Sequence, residues 1–478
     1  MASSVPITVC TFGFNVPCRR FLLTANVTRD RRLPVVDEFV LRTLKLTESI
    51  PAKRLAAYFG FSEAEAETVI SDLVARGLLS VDGDNLSLHA SAHEHFRGVD
   101  EGAPRVVEID TWVDRVWFDL ISRNMMVPER ARPLRNLIDL PSENISRDVP
   151  IAFARRAFEE NFAEYLRKVR RVNNPDRIGL YSVSEVQQDR FGFVVVKGWE
   201  DLLVDPEPKL RAHLLDIEVD DLTRYLPLTS AMTDAYRRLK GPEPSNAALE
   251  DFQRLVGDTS VVEAHHKKGG LDLGSWLSTN AGALNRERRA IFGASYLVRN
   301  IDVFTSLVTE KLISKAVSVS SPLQLVWFRP GGTVWGTSSD LQDALFKIRG
   351  AVRAANPQAV VHSKLVIPQI LRRDNPFRFN RLFDDGYIAP AGYLSPGLEI
   401  MYLEGVGAIV LVVTSMAPTV TVSVGFALVD DAGVQRIHKA LEWQNLRKSA
   451  DKLWTKSGDN AEDEIVPEIP RAEPEEDS

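Results

Sequence analysis

The 478-residue chain has only two cysteines, Cys10 and Cys18, which leaves no disulfide framework and no four-cysteine zinc site. A reducing cytoplasm suits that usage, and cytoplasmic localisation is the expectation. The start of the chain lacks the basic residues and uninterrupted apolar stretch of a signal peptide. No Gly-x-x-x-x-Gly-Lys-Ser/Thr sequence occurs, so nucleotide hydrolysis has no support. Nor is there a Gly-x-Ser-x-Gly elbow, a cysteine beside a candidate base, or an internal repeat of repeat-protein length. Gly405-Val406-Gly407 is too short for a dinucleotide fingerprint. No cofactor and no metal are expected.

What is present is ordinary globular text, 44% hydrophobic and 26% charged, with room for two to four domains. The formal charge of −7 is uneven: the last twenty residues hold nine carboxylates and one arginine, which leaves the rest near neutral. Gly405–Val429 runs 25 residues without a charge, long enough to cross a bilayer. It contains Pro418 and the alternation Thr419-Val420-Thr421-Val422-Ser423-Val424, so it reads as two buried strands joined at Ser415–Pro418. No membrane partner is expected.

Residues 1–33 read as an irregular arm with a strand at Ile7–Phe12. A helix follows from Pro34 to about Leu46, with Val36, Phe39, Val40 and Leu44 on one face. A second spans Pro51 to Phe59 and ends at Gly60. Ser62 caps a third, Glu65 completing a capping box, and Gly77 stops it after Val69, Ile70, Leu73 and Val74. Strands Leu78–Val81 and Leu86–His89 flank the turn Asp82-Gly83-Asp84-Asn85. This order over residues 34–96 resembles a winged helix-turn-helix domain, a family whose third helix enters the major groove. Here that helix offers Glu63, Glu65, Glu67 and Asp72, with Arg76 near its end, and the turn adds Asp82 and Asp84. A carboxylate row repels phosphates, so this unit is expected to dock a protein partner or its own chain.

From Val106 to Arg171 the sequence reads as helical, and residues 97–175 form a basic helical segment. Asp148 and Pro150 would open a helix whose stripe is Phe158, Phe162, Tyr165, Leu166 and Val169. Arg155, Arg156, Arg170 and Arg171 lie off that stripe and are candidate phosphate contacts. Their alternative is a solvated face partnered by Glu159, Glu160 and Glu164. Residues 176–287 read as a hairpin, Ile178–Val186 and Phe191–Lys197 around Gln187–Arg190, then a mostly helical region.

Residues 288–448 give the clearest α/β pattern. Helices near Asn300–Lys315 and Ser338–Ala355 precede strands Leu323–Phe328 and Ala359–Ile367. Strands near Leu398–Tyr402 and Ala408–Val413 and a helix over Val434–Arg447 complete it. The Ala359–Ile367 strand carries His362-Ser363-Lys364, and Gly392–Glu399 and Glu404 follow. This order resembles one half of a phospholipase-D-like domain, whose strand bears His-x-Lys-x4-Asp. Gln369 stands at the aspartate position, Tyr393 at that of the later asparagine and Ala391 at that of its serine. A second match, His265-His266-Lys267-Lys268-Gly269-Gly270-Leu271-Asp272, keeps the full spacing, with Asn280 and Glu287 beyond it. It also opens a possible first half within 176–287, although Lys268-Gly269-Gly270 is not strand text.

The resemblance implies an α/β multidomain protein and a metal-independent phosphodiesterase or nuclease. One histidine would attack phosphorus and the other protonate the leaving oxygen, so His265 and His362 would have to converge. Lys267 and Lys364 would clamp the phosphate, with Asp272, Asn280 and Glu404 in support. The alternative is an exposed basic loop at 265–272 and an ordinary strand histidine at 362. The expected function is nucleic-acid binding, with or without cleavage, in a bacterial DNA-handling or antiphage defence system. A non-catalytic scaffold subunit and a ligand-sensing transcription regulator are the alternatives. His89, His93 and His95 form a weaker metal candidate, and Phe328-Arg329-Pro330-Gly331-Gly332 a candidate anion nest. Residues 449–478 form an acidic tail expected to be disordered.

Overall fold

The computed structural model describes residues 6–96, 105–127, 133–141, 150–204, 207–215, 223–265, 270–281, 287–314, 322–368 and 374–456. Asp148, Lys267, Gln369 and residues 457–478 lie outside the described residues, whereas Asp451–Thr455, within the tail expected to be disordered from 449, pairs as a strand with Asp385–Ile388. The fold is mixed α/β and divides into two compact units. One comprises Cys18–Val127 and Ile145–Gly192, the other Met1–Pro17, Pro128–Asn144 and Phe193–Ser478.

In the Cys18–Gly192 unit, the centre is an antiparallel sheet rather than a helical segment. Residues Cys18–Arg32, the end of a strand that begins at Ile7, pair with the strand Arg105–Asp119. The sequence from Ile109 to Phe118 has period two: Trp112, Val116 and Phe118 go to the core, and Thr111, Val113 and Arg115 to the other face. That alternation overrides the helical reading over Arg105–Asp119, while helices do form beyond Pro150, and the short strand expected at Ile7–Phe12 runs on to Arg32. Nor is 187–190 a turn, since Ile178–Leu203 is one strand. Gln188 and Asp189 accept hydrogen bonds from Arg19 and Arg20, which satisfies the polar run within the sheet.

Helices Ile151–Glu160 and Phe162–Lys168, split at Asn161, set Phe158, Phe162, Tyr165 and Leu166 against Phe21, Leu23 and Val27. Residues 34–96 form helices Val35–Thr47, Ala52–Phe59 and Glu63–Ala75 and a sheet of Ser49–Pro51, Leu79–Asp82 and Asn85–Leu88. Ser62 and Glu65 make the reciprocal capping box, and Gly60 closes the second helix at φ 72°. The first helix buries Val40, Leu41 and Leu44 but turns Val36 and Phe39 outward, because Asp37 is drawn inward by its ion pair with Arg76.

The other unit is built on an eight-stranded sheet. Its order is Arg288–Phe292, Val420–Leu428, Gly407–Ala417, Leu398–Leu403, Leu323–Phe328, Val361–Ile367, Asp385–Ile388 and Asp451–Thr455. Leu323–Phe328, Val361–Ile367 and Asp385–Ile388 run parallel, the first two linked through the helix Asp340–Ala355. Each face has its own core. One packs Val326, Val366, Ile400 and Val410 under Phe252, Val434 and Trp443, and the other packs Leu325, Trp327, Leu365 and Met401 under Phe304 and Leu345. The uncharged stretch at 405–429 is the hairpin of Gly407–Ala417 with Val420–Leu428, turning at Pro418-Thr419. Gly425 permits that pairing, since a Cβ there would lie 2.0 Å from the Val410 carbonyl oxygen. Among the described residues no helix is long and apolar enough to cross a membrane. In the stretch from 200 to 260 the mostly helical expectation fails in part, because Lys209–His213 pairs as a strand with Trp199–Leu203.

Candidate functional site

The strand Val361–Ile367 turns alternate side chains to opposite faces, so His362 and Lys364 share one face with Val366. In the parallel register Lys364 lies opposite Asp385, at the head of the neighbouring strand. The His362 Nε2 is 3.1 Å from the Asp385 Oδ2, and the other carboxylate oxygen accepts from the Thr455 hydroxyl at 2.8 Å. Tyr387 donates to the same carboxylate at 3.4 Å, and the Lys452 ammonium is 3.9 Å away. Burial pushes the Asp385 carboxyl up, but Thr455, His362 and Lys452 together hold it below the usual range.

Lys364 is only 3% exposed. Its ammonium sits 5.3 Å from the centre of the Trp443 ring, with no hydrogen bond or ion pair to any described residue. Burial lowers its pKa, reinforced by the charges of Arg447 and Lys452 and opposed by Asp385 and Glu404. His362 is partly open to solvent. The site is therefore a largely buried lysine without an acceptor among the described residues, beside an accessible histidine and two further cations. Such a group can hold an anion and orient it. Sequence reading missed Asp385, Tyr387, Arg447 and Lys452, because only the strand register and the helix Trp443–Ser449 bring them to His362.

The upstream match is differently placed. His265 spends both ring nitrogens internally: Nδ1 lies 2.7 Å from the Val261 carbonyl and Nε2 2.7 Å from the Thr414 hydroxyl. The carbonyl can only accept, so Nδ1 donates to it, and Nε2 shares a hydrogen bond with the Thr414 hydroxyl. Asp272 accepts from the Ser275 backbone N–H at 2.9 Å, at the start of the helix Leu273–Ala281. Asn280 lies on that helix and donates to the Trp276 carbonyl at 2.8 Å. Asp272 and Asn280 thus serve a helix, and His265 lies outside every named strand.

The two histidines do not converge. The pairs Ser363–Leu325, Leu325–Leu403 and Leu403–Gly407 put His362 about level with Val406, at the far end of the Gly407–Ala417 strand from Thr414. Three strand spacings of ~4.8 Å and about eight residues at ~3.3 Å separate His362 from Thr414, on the order of 25–30 Å. A shared phosphate requires both imidazoles within hydrogen-bond reach of one group. The expected catalytic pair of His265 and His362 is thus overturned. Glu404 remains near Lys364 as a charge, whereas Glu399 is buried on the opposite face, accepting from Ser295, Trp327 and Trp335.

The basic helix is also largely committed. Arg155 donates to the Val183 carbonyl, and Arg156 pairs with Glu160 at 2.7 Å. Arg170 pairs with Asp114 at 2.6 Å and lies over Trp112, so Arg171 alone of the four candidates is exposed without such a tie. The carboxylates Glu63 and Glu67 are exposed, while Arg76 is held by Asp37 and Asp72. His89 engages Ser91, and among the described residues no three metal-ligating side chains cluster. The Arg329–Gly332 turn is not an anion nest: its N–H groups at Arg329 and Gly331 bond to Val366 and Pro396, and Arg329 is buried against Asp374. No protein-family model matches this chain, and no curated protein sequence matches it significantly.

Proposed function

We propose that this protein is a nucleic-acid-associated subunit that binds phosphodiesters through the His362–Lys364 site without hydrolysing them. The observation that carries the reading is Lys364, a largely buried lysine whose ammonium makes no hydrogen bond or ion pair with a described residue, set among His362, Arg447 and Lys452. Phosphoryl chemistry with a histidine nucleophile needs a second proton donor. His265, bound to Thr414 at the other end of the sheet, cannot serve. In this reading the α/β unit is a phospholipase-D-like domain reduced to binding, in a DNA-handling or antiphage defence assembly.

Residues 34–96, taken as a winged helix, dock a protein in that assembly. Their exposed Val35, Phe39, Leu46 and Tyr58 stand beside a carboxylate-rich helix, a combination suited to a protein with a basic rim rather than to DNA. The test is metal-free incubation and equilibrium binding with a labelled oligonucleotide. Wild type should bind and leave it intact, and Lys364→Met should weaken binding. Cleavage abolished in both His265→Ala and His362→Ala would overturn this reading.

A further inference from the structure

The sheet of Cys18–Arg32, Arg105–Asp119 and Ile178–Gly192 is covered on one face by the helices over 151–168. Its other face carries Arg20, Leu22, Thr24 and Asn26, which lie opposite Trp117, Arg115, Val113 and Thr111. Val113 and Ile109 are more than half exposed on it. At one end Trp117 is stacked by two arginines from different strands, Arg20 at 5.4 Å and Arg190 at 5.5 Å from the ring centre. Gly192 makes room for this ring, since a Cβ there would stand 3.0 Å from it. Asp189 takes Arg20 at 2.5 Å and Arg115 at 3.7 Å. Arg20 and Arg115 thus share one carboxylate, and among the described residues Arg190 has none.

We propose that this open sheet face, framed by Arg20, Arg115 and Arg190, binds the backbone of a single-stranded nucleic acid. The inference rests on the reading that nucleic acid is the partner, but it uses residues separate from the His362 site. Charge selects a polyanion, and the stacking on Trp117 holds Arg20 and Arg190 in place before the strand arrives. A duplex would offer only phosphate and sugar to a flat face. A single strand can also lay its bases on Leu22 and Val113, beside the hydroxyls and amide of Thr24, Thr111 and Asn26.

The test is fluorescence anisotropy of a labelled thirty-residue oligothymidylate and of a duplex, titrated with the full chain at several salt concentrations. Each lost phosphate contact flattens the single-strand salt slope by about 0.7, so Arg115→Gln/Arg190→Gln should flatten it by about 1.4 and weaken binding about 25-fold at 0.1 M salt. Arg167→Gln/Arg177→Gln should change nothing, and Val113→Glu should weaken binding with every arginine intact. Unaltered affinity in both Arg115→Gln/Arg190→Gln and Val113→Glu would overturn this face and leave the His362–Lys364 reading standing. Preference for the duplex would overturn the single-strand assignment. No binding by the wild type would overturn both.

Discussion

Replacing Lys364 by methionine should make the protein more stable while weakening the proposed binding of nucleic acid. The Lys364 side chain is only 3% exposed, its ammonium makes no hydrogen bond or ion pair with a described residue, and Trp443 lies 5.3 Å away. Exchanging buried charge for well-packed apolar side chains is worth about 1–4 kcal/mol. The lost cation–π contact returns about 1 kcal/mol of that, for a net gain of up to roughly 3 kcal/mol. At about 2 °C per kcal/mol for a domain of this size, the Tm should rise by up to roughly 6 °C in differential scanning calorimetry. The sign with pH is also set. Below the depressed pKa of the native lysine both states are protonated and the full penalty stands. As pH rises through that value toward the unfolded one near ~10.4, the native state sheds its proton first and the penalty is relieved. The advantage of Lys364→Met should therefore shrink on approaching pH 10. A destabilised Lys364→Met at pH 7 would refute the reasoning, since it would mean that the ammonium has a structural partner.

Two further outcomes follow from other buried groups. Burial raises the Glu399 pKa, against the hydrogen bonds from Ser295, Trp335 and Trp327. The cost of ionising it is absent below the unfolded pKa near ~4.3 and grows as pH rises above that value. Glu399→Gln should thus match wild type in Tm at pH 4 and exceed it at pH 8; a lower Tm at both would contradict this. His265→Ala leaves Thr414 and the Val261 carbonyl without their partner and should cost about 1–3 kcal/mol in urea denaturation, with oligonucleotide affinity unchanged. Lost affinity at unchanged stability would restore His265 to the binding site.

Local grammar carried much of the architecture. The capping box at Ser62–Glu65, the left-handed glycine at Gly60 and the strand run around His362 are fixed by neighbours within a few residues, and each is legible from spacing. The failures came where distant pairing outweighed local text. Gln187–Arg190 looks like a turn because it is polar, yet cross-strand arginines satisfy it. Ile109–Phe118 was masked as a strand by its interleaved Asp110, Asp114 and Arg115, although the two-residue period was there to be counted. The half of the candidate site that sequence supplied, His362 and Lys364, lies within one strand. Asp385, Trp443, Arg447 and Lys452 enter through register and helix packing, which no spacing encodes. Three of the four arginines chosen as phosphate contacts have partners in the fold, Glu160, Asp114 and the Val183 carbonyl, of which the last two come from distant strands that no spacing points to.

The central claim is that this chain grips phosphate backbones without cutting them. Its most direct test is the affinity of wild type for a labelled oligonucleotide as a function of salt, in chelator, with the oligonucleotide recovered and sized afterwards. The expected result is an intact oligonucleotide and a linear fall of log affinity with log salt, of slope about −2 or steeper for three or more contacts. A flat salt response, absent binding or a shortened oligonucleotide would contradict the claim.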